Sequence, residues 1–214
     1  MVMIVFDVDG TLLGGEHHDW KSFDDAFEEA AGFPFPPNFF SNIPEVTAEA
    51  IVHQALAGVA HPDKTRIIDQ TRRGYLALNR AAHEATGNTF VRTHGVLELW
   101  KELRDRDITF AIATGDWHET ISYKLSAAGI DVEGVPMATS SDCYARADII
   151  RTAVKRAGDV IQADDIRNKP GCVQLAVCQE SQGLCELIRG IKADKPDVQL
   201  LEHRHRWHQV VLFH

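Results

Sequence analysis

The sequence predicts an α/β fold, a parallel sheet covered by helices and interrupted by an all-helical insertion. Three observations predict it. The chain opens on an apolar run, Val2 to Phe6, that ends on Asp7 and Asp9. From Val96 to Gly158 helical and strand-like segments alternate. Between these two regions, from about residue 16 to 91, no convincing strand pattern occurs.

Residues 5–13 read VFDVDGTLL. An apolar strand ending there points Asp7 and Asp9 to the same side, because side chains alternate with period two. Two like charges held that close repel, and such a pair at the end of a buried strand calls for a cation or a shared task. The insertion begins with KSFDDAFEEAAG, a helix with Phe23, Phe27 and Ala30 on one face that stops at Gly32. PFPPNFFSNIP reads as a loop, and the Phe33, Phe35, Phe39, Phe40 cluster as core of the insertion. PEVTAEAIVHQALAG is a second helix with Pro44 in its first turn, and a third runs from Pro62 to about Gly87.

VLELWKELRDRD is amphipathic through Val96, Leu99, Trp100 and Leu103, and leads into the apolar strand and turn ITFAIATGD. A helix closed by Gly129, the strand VPMATSSD and a helix closed by Gly158 follow. A short strand at Val160 and Ile161 precedes Asp164 and Asp165, and GCVQLAVC and SQGLCELIRGIK read as a further strand and helix.

At 214 residues and 44% hydrophobic content the chain can bury a full core. Its 31 acidic and 22 basic residues, a formal charge of -9, argue against nucleic acid or an anionic membrane as partner. An anionic substrate must therefore be held by local donors or a metal. No stretch approaches the roughly 18 apolar residues of a membrane span, and the first residues lack a basic leader. Cys143, Cys172, Cys178 and Cys185 form no CxxC pair, which suits a reduced, cytoplasmic compartment. His203, His205 and His208 near the end have no compelling metal-ligand spacing and read as a polar tail.

In open α/β sheets ligands sit beyond the carboxyl ends of the strands. Such ends carry Asp7 and Asp9, then Thr114-Gly115-Asp116, then Asp164-Asp165. DVDGT followed by AIATGD resembles the haloacid dehalogenase superfamily of phosphohydrolases, whose first motif is DxDGT and whose second is a Ser or Thr at the end of the next core strand. The resemblance covers roughly residues 1–158. It implies a Rossmann-like core, residues 1–15 and 92–214, with a helical cap at 16–91 that sets substrate choice and not the chemistry.

Carried over residue by residue, the resemblance implies that Asp7 is the nucleophile, giving an aspartyl phosphate, and that Asp9 is general acid and base. Gly10 turns the chain beneath the phosphate, with Thr114 and Gly115 contributing to its binding. The charge-compensating cation is Arg146, with Lys155 as the alternative. Mg²⁺ is held by Asp7, Asp9 through its carbonyl, and Asp164, with Asp165 as alternative to the last. The fourth motif departs from the family pattern, since Ala163 stands where a glycine is expected. The implied substrate is a small phosphorylated metabolite. Two rivals stay open, a sugar-phosphate mutase and a catalytically weak binding protein. His17, His18, Trp117 and His118 are candidates for the mouth of the site, each equally readable as ordinary loop or helix-start residues.

Overall fold

The computed structural model of the chain describes residues 3–14, 16–160, 173–175 and 212–213. At its centre lies β1 (Met3–Phe6), buried at all four positions. It pairs in parallel with β4 (Thr109–Ala113), in the register Met3↔Thr109 to Phe6↔Ile112, and with β6 (Val173–Leu175) on its other side. The sheet is completed by β5 (Met137–Ala138), parallel to β4, and by β7 (Leu212–Phe213), antiparallel to β6, in the order β5-β4-β1-β6-β7.

Period two along β1 sends alternate residues to opposite faces. Ile4 and Phe6 pack with Val96, Leu99, Trp100 and Leu103 of α4 (Val96–Asp105) and with Ile121 and Leu125 of α5 (His118–Ala127). Met3 and Val5 pack with Ile149, Ala153 and Ala157 of α6 (Arg146–Val160). The small alanines on that face of α6 let the helix lie close against the sheet. The expected parallel sheet with helices on both faces is therefore the architecture found.

The insertion is joined to the core by a ribbon of its own, in which β2 (Leu13–Gly14) pairs antiparallel with β3 (Val91–Arg92). Between these strands lie α1 (Glu16–Ala31), α2 (Ala48–Ala55) and α3 (His61–Thr86). Phe23, Phe27, Ile51, Val52, Leu56, Ile67 and Tyr75 form its core, and Phe35 stacks on Phe27 with ring centroids 3.9 Å apart. Phe33 differs from its neighbours in the cluster, since it is an exposed residue.

Several element bounds depart from the sequence reading. The first insertion helix starts at Glu16, not at Lys21, so Asp19 is helical. The second starts at Ala48, not at Pro44, because Thr47 stands in extended conformation and its hydroxyl accepts from the Ala50 N–H at 3.3 Å. Helix α6 runs past Gly158 to Val160, since its buried face repeats through Ile149, Ala153 and Ala157. No strand therefore starts at Val160. The strand beside β1 is Val173–Leu175, from the stretch read as GCVQLAVC. Among the described residues no helix is long and apolar enough to cross a membrane.

Candidate active site

The site is built at the carboxyl ends of β1 and β4. Asp7 is the first residue past β1, and by strand alternation it shares a side with Met3 and Val5, the side that α6 covers. Its Oδ1 accepts from the Val8 N–H at 2.9 Å and from Arg146 Nη1 at 3.3 Å. Its Oδ2 has no protein partner among the described residues. Arg146 opens α6, and its own N–H donates to Glu45 Oε2 at 3.2 Å. Lys155, the alternative cation, sits exposed on the same helix.

After Asp7 the chain coils on itself. The Val8 carbonyl accepts from Thr11, Leu12 and Leu13 N–H groups at 2.8–3.0 Å, and Gly10 N–H donates to the Leu13 carbonyl at 2.7 Å. Gly10 makes this possible with a φ of 76°, the left-handed region that favours glycine. The Asp9 carbonyl accepts no hydrogen bond among the described residues.

The β1–β4 register places Thr114 one step beyond the ladder, alongside the Asp7–Asp9 turn. Thr114 is buried, its N–H donates to Ala138 O at 3.1 Å, and its Oγ1 accepts from Asp116 N–H at 3.3 Å. That leaves the hydroxyl proton to donate elsewhere. Gly115 lies against the insertion, where its carbonyl accepts from Ala48 N–H at 2.7 Å. A Cβ at Gly115 would stand 3.2 Å from the Val46 carbonyl oxygen and 3.4 Å from Arg146 Cζ. Only glycine fits there without displacing a neighbour.

Three site residues, Lys124, Asp19 and Tyr75, escaped the sequence reading. Lys124 of α5, 1% exposed in its side chain, places Nζ 3.2 Å from Asp9 Oδ1, 2.6 Å from Asp19 Oδ1 and 2.9 Å from Asp116 Oδ2. It also donates to Tyr75 Oη at 3.0 Å, and Tyr75 in turn donates to Asp19. Asp19 and Tyr75 belong to the insertion, which thus shares the Lys124 ammonium with Asp9. A signal existed in the sequence: Asp19 shares a helical face with Phe23 and Phe27, and Lys124 sits between Ile121 and Leu125. A charge on a buried helical face needs a partner.

The oxygens of Asp9, Asp19 and Asp116 lie within 4.8 Å of one another, a spacing that suits a cation. The Lys124 ammonium lies among them, so this triad carries its own. Burial pushes the Asp9 carboxyl up to about 7, with Lys124 opposing and Asp19, Asp116 and Asp7 adding to the push. Because 34% of the Asp9 side chain stays open to solvent, water screens part of this. Burial likewise raises Asp116 to about 6, against the pull of Lys124. For Lys124 burial favours the neutral amine, but Asp116, Asp9, Tyr75 and Asp19 outweigh it and hold the proton on.

Trp117 does not line an open mouth. It is fully buried, precedes the first turn of α5, packs with Phe23 and Tyr75 of the insertion, and donates through Nε1 to Glu49 Oε2 at 2.8 Å. His118 begins α5, and its N–H donates to Ser141 Oγ at 3.0 Å. Asp164 and Asp165, the tail histidines His203, His205 and His208, and the side chains of His17 and His18 lie outside the described residues. Asp164 and Asp165 were expected at the end of a strand at Val160 and Ile161, but Val160 is helical, and the described strand beside β1 begins at Val173, later in the chain than both carboxylates.

A model of the haloacid dehalogenase-like hydrolase family matches residues 4–160. The chain belongs to that family. Its fold is similar to that of a hydrolase from Pseudomonas syringae, at 17% identity over 74% of this chain and 71% of that one, with a TM-score of 0.57. It is also similar to CbbY from Rhodobacter sphaeroides in complex with phosphate, at 16% identity, 86% and 82% coverage and a TM-score of 0.56. A beta-phosphoglucomutase from Clostridium difficile is similar at 15% identity, 74% and 72% coverage and a TM-score of 0.57. At these identities the likeness is one of fold. No curated protein matches the chain. Membership of this hydrolase family agrees with the DVDGT and AIATGD resemblance, and the parallel sheet agrees with the fold it implied.

Proposed function

We propose that the protein is a Mg²⁺-dependent phosphatase that hydrolyses a small phosphorylated metabolite through an aspartyl phosphate on Asp7. The observation that carries this reading is the Asp7 carboxylate at the end of β1, with Oδ1 held by Val8 N–H and Arg146 and Oδ2 left without a protein partner. A carboxylate fixed through one oxygen presents the other for attack, and the Arg146 guanidinium offsets charge gathering on the transferred group.

In the proposed sequence Asp7 Oδ2 attacks phosphorus while the ester bond to the leaving oxygen breaks, and Asp9 gives its proton to that oxygen. Water then attacks the aspartyl phosphate with Asp9 taking its proton, which returns free Asp7 and releases phosphate. A carboxyl raised to about 7 suits both duties near neutral pH, since it can be populated in either form. The Thr114 hydroxyl and the backbone at Gly115 and Gly10 are assigned to phosphate binding.

The donor set fits Mg²⁺: the Asp7 carboxylate and the Asp9 carbonyl are hard oxygens, and the carbonyl is engaged by no protein group among the described residues. They would hold the ion together with a further carboxylate, proposed as Asp164. Bound there, the metal supplies neutralisation of charge between the carboxylates and the phosphoryl oxygens. The helical segment 16–91 is proposed as the cap of a core made of 1–15 and 92–214, and CbbY, whose structure is described as a complex with phosphate, supports a phosphorylated ligand for the cleft below it.

The test is a screen of phosphorylated metabolites with and without Mg²⁺. Release of inorganic phosphate that requires the metal supports the reading. Saturable binding of a phosphorylated compound without turnover under either condition would favour the binding protein, and conversion to an isomer without phosphate release would favour the mutase.

A further inference from the structure

We propose that Lys124 is a positioning residue for Asp9, and that it ties the placement of this carboxylate to the seating of the helical insertion. The proposal rests on the phosphatase reading, in which Asp9 moves the proton of the leaving oxygen. Lys124 reaches both Asp9 oxygens, Oδ1 at 3.2 Å and Oδ2 at 3.4 Å, so it fixes the orientation of the carboxylate and not merely its charge. Its remaining partners come from both sides of the molecule. Asp116, just past β4 in the core, is at 2.9 Å, whereas Asp19 of α1 at 2.6 Å and Tyr75 of α3 at 3.0 Å belong to the insertion.

A lysine ammonium has three protons on a flexible four-carbon stem and points wherever its acceptors are. Here four groups compete for those protons, and α5 is anchored in the core by Ile121 and Leu125 on either side of Lys124. The position of Nζ is thus a compromise between two core carboxylates and two groups of the insertion. Remove Asp19 and Tyr75, and the ammonium is drawn toward Asp116 and Asp9 alone. Asp9 shifts with it. Proton transfer tolerates little of this, since a misplacement of about 1 Å costs on the order of 10²-fold in rate.

The carboxylates also need the ammonium to stay together. Three acidic oxygens within 4.8 Å repel unless a cation lies between them, and Lys124 puts one there that cannot diffuse away. A purely structural ion pair would have the same geometry. The two roles separate in how the leaving group matters, because a misplaced general acid hurts poor leaving groups most.

The experiment compares kcat/KM, which reports formation of the phosphoenzyme and not its later hydrolysis, for p-nitrophenyl phosphate, whose leaving oxygen needs little proton assistance, and for a simple alkyl phosphate, whose leaving oxygen needs it fully. Wild type, Lys124→Met, Lys124→Arg and Tyr75→Phe are measured with Mg²⁺ present. Lys124→Met is expected to lose about 10²-fold in kcat/KM on the alkyl ester and no more than about tenfold on the aryl ester. Tyr75→Phe, which deletes a single oxygen and keeps the ring packing, shows the same skew at smaller size, and Lys124→Arg restores part of the loss. If Lys124→Met does not fold, the Tyr75→Phe skew decides. Equal losses on both esters would make Lys124 a structural ion pair and overturn the proposal. A wild-type protein that releases phosphate from neither ester nor any compound of the metabolite screen overturns the phosphatase reading, and the role assigned to Lys124 with it.

Discussion

Arg146 Nη1 lies 3.3 Å from Asp7 Oδ1, although the two residues are separated by most of the chain. The contact exists because Asp7 leaves β1 on the face that α6 covers, and Arg146 is the first residue of that helix. A guanidinium that close to Asp7 offsets its charge, and in the proposed mechanism that of the arriving phosphate as well. Arg146→Ala should lower turnover by about 10²- to 10³-fold, the range for removing one preorganised charge-stabilising donor. Lys155→Ala, on the exposed side of α6, should stay near wild type. Steady-state kinetics of the two variants checks the ranking, and the reverse order would move the compensating role to Lys155.

The two aspartates of DVDGT should fail differently. Asp7→Asn removes the attacking oxygen, so no phosphoenzyme forms and turnover is lost at every pH. Asp9→Asn keeps the proposed nucleophile but loses the group proposed to protonate the leaving oxygen and activate water, a contribution of about 10² to 10⁴ in rate. An activated aryl phosphate should therefore still phosphorylate Asp9→Asn, which then stalls. Intact-mass measurement after mixing would show one added phosphoryl group on Asp9→Asn and none on Asp7→Asn. A label on the Asp7 variant would mean that the pair acts in another way.

The strand-end residues were legible because each announces itself locally. Asp7, Gly10 and Thr114 follow apolar strands at the positions where open sheets place ligands, and Arg146 opens the helix facing the Asp7 side. Periodicity also found the helices of the insertion and the sheet-covering helices. Lys124, Asp19 and Tyr75 were not legible in that way. Each lies within a helix, and only the packing of α1 on α3 and of α3 on α5 brings them to Asp9. A long-range meeting of three helices has no signature in a window of a dozen residues. The Val160 strand failed for the opposite reason, since two apolar residues fit a strand end and a continuing helix equally well.

Asp9 and Asp116 give the metal-free protein a signed pH dependence. Their folded carboxyls are raised to about 7 and about 6, above the unfolded value of about 3.9. In the window from pH 5 to 7 the folded state therefore holds protons that the unfolded state has released. Stability contributed by these groups falls as pH rises through that window. Asp142 acts in the opposite sense, its hydrogen bond from Arg156 holding it below the usual range, but its effect is confined to lower pH. Thermal melts at pH 5, 6 and 7 in chelator should show a steeper loss of Tm for wild type than for Asp9→Asn. Parallel slopes would mean that Asp9 ionises as it does in water.

Gly115 lies between the insertion and Arg146, and enlarging it should disturb both. An alanine Cβ would meet the Val46 carbonyl at 3.2 Å and the Arg146 guanidinium carbon at 3.4 Å. The Val46 carbonyl has little room to retreat, because two residues on the Ala48 N–H is bonded to the Gly115 carbonyl at 2.7 Å. Arg146 is the freer neighbour, with 39% of its side chain exposed, so it should yield first and move off Asp7. Gly115→Ala is accordingly expected to cost about 1–3 kcal/mol of stability, as overpacking typically does. Its turnover should fall toward that of Arg146→Ala. Gly58→Ala, where a Cβ meets nothing within 4 Å, is the control and should stay within about 0.5 kcal/mol of wild type. Urea unfolding and turnover measured on the same preparations check both parts. Full activity in Gly115→Ala at reduced stability would mean that Arg146 holds its contact with Asp7 and that the Val46 backbone, not Arg146, gives way.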